Sequence, residues 1–157
     1  MPGEAPVASA SRPGPFSILG AASVIVGGLV AAVTSPLHLA HGSWAAAYLV
    51  LVNGVAQIAL GTSQAALAGT PTRATVIGEV AAWNAGSALV IGGTVMRLPL
   101  IVDVGGLLLV IALVMLIATV RGKTAGPQWA LWTYRLLLVI VLVSIPVGLV
   151  LAHLRAR

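Results

Sequence analysis

Two of the three histidines, His38 and His41, fall three residues apart in the stretch "SPLHLAHGSW", between two long apolar runs, and His153 lies near the far end of the chain. A neutral imidazole ligates haem iron, copper or zinc, so this trio is the first candidate for chemistry. His38 and His41 point the same way if the short link between the runs is helical. His153 would then supply a ligand from the last helix, with Asp103 orienting one ring as an acceptor. Pairing His38 or His41 with His153 suits a haem b wedged between helices. All three, with Asp103, suit a copper or zinc ion. The activity expected of such a site is electron transfer or ligand binding. The opposing reading is plainer: interfacial imidazoles hydrogen-bond water and lipid headgroups, and His153, beside "RAR", does so at a helix end.

A second set is buried by its position in the apolar runs. Glu79 and Arg135 each sit about six residues, or about 9 Å, inside the start of a run. Unpaired charges at that depth are expensive, so either the two pair or Glu79 is protonated; pairing is the expectation. Asn53, Gln57 and Asn84 lie in the middle, and they read as interhelical glue or, less plainly, a substrate path. Asn53, Gln57 and Gly61 are spaced i, i+4, i+8, and Glu79, Gly86 and Gly93 recur every seven residues. Each set makes one helical face of small and polar groups, and the second and third helices are expected to pack through them.

Enzymatic readings find little support. Beyond the first fifteen residues the only carboxylates are Glu79 and Asp103, placed toward opposite ends of the runs, which argues against paired acid–base work. Cysteine is absent, and with it thiol nucleophiles and thiolate metal sites. No serine stands in a nucleophile elbow or a convincing triad.

The elements that must position these residues follow from composition. Of 157 residues 59% are hydrophobic and only 7% charged, against roughly a quarter charged in a water-soluble domain. Five apolar runs, Phe16–Thr34, Ser43–Ala68, Ala74–Met96, Pro99–Val120 and Trp129–Ala152, are each about 19 to 26 residues long, the length that crosses a bilayer as a helix. The fold class expected is an all-α integral membrane protein, one bundle of five transmembrane helices over 16–157 with short connections. Residues 1–15, "MPGEAPVASASRPGP", read as a disordered tail. Pro146, deep in the last run, is expected to kink it.

The basic residues cap the apolar runs without interleaved aromatics, so the net charge of +5 points to headgroups and not to nucleic acid. Arg12, Arg73, Arg121 and Lys123, with Arg135 entering the last span, outnumber Arg97, Arg155 and Arg157 on the other side. That bias favours a cell-membrane protein with a cytoplasmic amino terminus and an external carboxyl terminus. No clear small-x-small site ends the first run, so it reads as a span and not a cleaved leader. Odd threading puts His38, His41, Arg97, Asp103 and His153 at one face, the outer. Two further roles fit the composition: a structural or assembly subunit among other membrane subunits or in a homo-oligomer, and a small transporter using Glu79 and Arg135.

Overall fold

The computed structural model describes residues 13–68, 71–121 and 128–155, except the side chains at 129–130, 133, 145–149 and 151–155. Five helices account for nearly all of them, and no strand occurs among the described residues. We number them α1 (Pro15–Thr34), α2 (Gly42–Ala68), α3 (Arg73–Val95), α4 (Pro99–Val120) and α5 (Gln128–Arg155). The tail expected over 1–15 and the turn residues Gly69, Gly122, Gly126 and Pro127 lie outside the described residues, apart from Pro13 to Pro15, the last of which already opens α1.

Helices α1 to α4 are each long and apolar enough to cross a bilayer, and α5 contains the apolar stretch Tyr134–Ser144. Lipid offers a backbone no partners, so runs of this composition close their hydrogen bonds internally. Proline opens α1 and α4 at the position where its missing N–H costs nothing. Thr72 caps α3, its hydroxyl accepting from the Thr75 N–H at 3.2 Å. The α5 helix runs unbroken through Pro146.

The chain folds as two hairpins and a fifth helix. The most extensive interface joins α1 to α2, and α3 lies along α4. Backbone contact at glycine makes both close. An added Cβ at Gly105 of α4 would stand 2.7 Å from the Gly86 carbonyl oxygen and 2.8 Å from the Val90 nitrogen. One at Gly93 would stand 2.8 Å from the Val102 nitrogen. In the other hairpin Gly20 approaches the Gly54 carbonyl, and Gly61 lies against the Phe16 ring. Between apolar surfaces in lipid, such close approach is the main source of packing energy. The expected role of these glycines is thus corrected: Gly86 and Gly93 seat α4, and Gly61 seats α1, so they do not join α2 to α3.

The apolar core lies among α2, α3, α4 and α5, with Leu60, Trp83, Ala112 and Leu116 fully buried. From α1 it takes only Phe16.

Both hairpin loops at the histidine end terminate their helices in the same way. Leu39 N–H donates to the Thr34 carbonyl at 3.0 Å, and Leu98 N–H to the Gly93 carbonyl at 2.8 Å. Each closes a Schellman cap, with His38 (φ 51°) and Arg97 (φ 56°) in the left-handed position usually given to glycine. Arg97→Gly is therefore expected to stabilise the protein by about 0.5–1 kcal/mol, read as a higher midpoint of thermal unfolding in detergent.

Candidate functional site

Where the two hairpins meet, α2 and α3 face each other through polar side chains at several depths. Nearest the histidine end, the Tyr48 hydroxyl of α2 faces Ser87 of α3, outside hydrogen-bonding geometry. Deeper, Asn53 Nδ2 donates to Ser23 Oγ of α1 at 2.9 Å and to Asn84 Oδ1 of α3 at 3.3 Å. Asn84 in turn donates to the Val80 carbonyl at 2.8 Å. One turn on from Asn53, Gln57 is fully buried with neither amide atom partnered, and Trp83 Nε1 is likewise unpartnered.

At the opposite end lies Glu79, with 0% of its surface exposed. Gln64 Nε2 of α2 donates to its Oε2 at 2.7 Å, and the Thr119 hydroxyl of α4 lies 2.6 Å from its Oε1. From α5, Tyr134 brings a buried hydroxyl within electrostatic reach of the same carboxyl. The expected partner, Arg135, is exposed, and no ion pair to Glu79 occurs among the described residues. Successive helical positions point about 100° apart, so with Tyr134 turned inward its neighbour turns outward. The pairing expectation is corrected: among the described residues the side chains that meet Glu79 are neutral.

Among the described residues, the polar side chains with orphaned buried atoms are Tyr48, Asn53, Gln57, Trp83, Ser87 and Tyr134, on the facing helices α2 and α3 or beside Glu79. Buried polar groups are nearly always hydrogen-bonded, so these atoms retain hydrogen-bonding capacity that water or a polar guest could use. The backbone changes there too. Residues Leu49–Ala56 form a π-helical stretch around Asn53, a wider winding that is frequent at functional sites. It helps turn Gly54 toward α1 while Asn53 meets α3.

The histidines stand differently. The link from Ser35 to His41 is a series of turns and not a helix, so His38 and His41 do not stack on one helical face. His38 is exposed, and His41 is half-buried at the start of α2 without a side-chain capping bond. Asp103, half-buried in α4, is not without a partner. His153 lies near the end of α5, and its side chain is outside the described residues. Among the described residues no three His, Cys, Asp or Glu side chains gather as a metal site would require.

No family model, characterised protein or solved structure matches this chain. Its function has to be read from its own side chains.

The sequence alone points to Asn53, Gln57, Asn84 and Glu79 but not to Ser23, Tyr48, Gln64, Trp83, Ser87, Thr119 and Tyr134. A signal was present for some of them. Gln57 and Gln64 are seven residues apart, and Glu79, Trp83 and Ser87 are spaced i, i+4, i+8.

Proposed function

We propose that this chain is a five-span protein of the cell membrane, amino terminus inside, that moves protons along the seam between its hairpins. Glu79 is the group that takes up and releases the proton. Asn53, Gln57, Asn84, Ser87 and Tyr48 supply polar steps toward the outer face. Arg135, on the surface of α5 near the inner end, faces headgroups and keeps that end of the helix at the interface. The observation that carries this reading is a fully buried carboxyl with neutral partners at one end of a path of orphaned polar atoms. Ionisable groups inside a membrane are costly and by default mark function. The seam is preferred to electron transfer at His38, His41 and His153 because it is where described side chains converge.

The test is reconstitution of the purified protein into liposomes carrying an internal pH indicator, with a potassium diffusion potential as driving force. Wild type is expected to acidify the lumen, and Glu79→Gln to fall to the rate of protein-free vesicles. Equal rates in the two proteins would overturn the reading. A wild type no faster than empty vesicles would do the same and would favour a subunit whose work requires a larger membrane complex.

A further inference from the structure

The hydrogen atoms around Glu79 can be counted. Thr119 Oγ1 lies 2.6 Å from Glu79 Oε1 and 3.0 Å from the Met115 carbonyl oxygen, and the threonine has one hydroxyl hydrogen for both. A carbonyl only accepts. If Thr119 gives its hydrogen to Met115, as threonines in transmembrane helices commonly do to the preceding turn, two lone pairs confront each other at 2.6 Å unless Glu79 supplies a hydrogen. If Thr119 instead donates to Glu79, a full negative charge sits at 0% exposure beside groups that, among the described residues, are all neutral. Those groups are Gln64 from α2, Thr119 from α4 and Tyr134 from α5. Removing a carboxylate from water without a counter-charge costs several kcal/mol, far more than the loss of one neutral hydrogen bond.

We infer that Glu79 is held as a neutral carboxylic acid at neutral pH, donating its Oε1 hydrogen to Thr119, which passes its own to the Met115 carbonyl. The other oxygen, Oε2, is then the carbonyl of the acid, and it receives the Gln64 amide. Every group in the set has one role: Gln64 gives, Glu79 takes and gives, Thr119 takes and gives, Met115 takes. The site is thus a proton store whose hydrogen-bond direction runs from α2 through α3 into α4. This deepens the transport reading and rests on it for its purpose, but not for its chemistry.

The test is the infrared difference spectrum of wild type minus Glu79→Gln in lipid at neutral pH, in which the signals of Glu4 and Asp103 cancel. A protonated-carboxyl carbonyl band that shifts in deuterium oxide and is lost in Glu79→Gln is expected. Thr119→Val should keep the band and move it to higher frequency, since the acid loses its acceptor, and Thr119→Ser should restore the wild-type position. Carboxylate stretches in place of the carbonyl band would overturn the assignment. A band that ignores Thr119→Val would overturn the donation to Thr119. Flux lost in Glu79→Gln together with carboxylate bands would leave transport standing and sink the neutral acid. A carbonyl band with unchanged flux would do the reverse.

Discussion

Gly105→Ala should destabilise the protein by about 1–3 kcal/mol, although alanine is the better helix former. The new methyl carbon would meet the Gly86 carbonyl oxygen at 2.7 Å and the Val90 nitrogen at 2.8 Å. Both are main-chain atoms of α3, so no side chain can rotate away, and α3 and α4 must separate along their length. Gly92→Ala provides the control, because nothing lies within 4 Å of a Cβ at that position. It should leave stability unchanged or raise it by up to about 1 kcal/mol. Its neighbour Gly93→Ala, facing α4, should behave like Gly105→Ala. Unfolding in increasing sodium dodecyl sulfate, followed by tryptophan fluorescence, reads the series. Equal effects at Gly92 and Gly93 would refute the backbone contact.

Glu79→Ala should cost about 2–4 kcal/mol in the same assay, and Glu79→Gln less than about 1 kcal/mol. Alanine leaves a cavity in the core and strands the Gln64 amide and the Thr119 hydroxyl, both of which would lose their oxygen partner. Glutamine keeps the volume; its carbonyl can accept from Gln64 and its amide can donate to Thr119. That arrangement copies the hydrogen pattern of a neutral acid, which is why the substitution is mild. It also makes the flux test on Glu79→Gln a test of the proton and not of the fold. A Glu79→Gln protein as unstable as Glu79→Ala would show that the carboxyl carries a charge that glutamine cannot replace.

The helix limits were legible because an apolar run long enough to span a bilayer has a single stable state. Pro99–Val120 is predicted to the residue, and the other four limits differ by no more than three residues at either end. Helix partners were harder to read. In lipid an apolar face has no preference for another apolar face, so pairing is set by which glycines meet which backbone. The spacing of Gly20 with Gly27 and of Gly54 with Gly61 repeats that of Gly86 with Gly93, but spacing alone does not say which helix each pair meets. The Glu79 partner was misjudged for a related reason. Depth placed Arg135 and Glu79 at one level, but α5 is apolar all round, and no stripe reveals that Tyr134 turns inward in place of Arg135. Thr119, in an otherwise apolar α4, carries no periodic signal.

Glycine stitching inside each hairpin has a mechanical result. Where main chains touch, one helix cannot slide or roll against its mate without collision, so α1 with α2, and α3 with α4, behave as stiff slabs. The joint between the slabs sets amides and hydroxyls on flexible stems beside the apolar core, and these polar groups can exchange partners while both backbones stay still. Rearrangement between the slabs is thereby channelled into the plane where Glu79 lies.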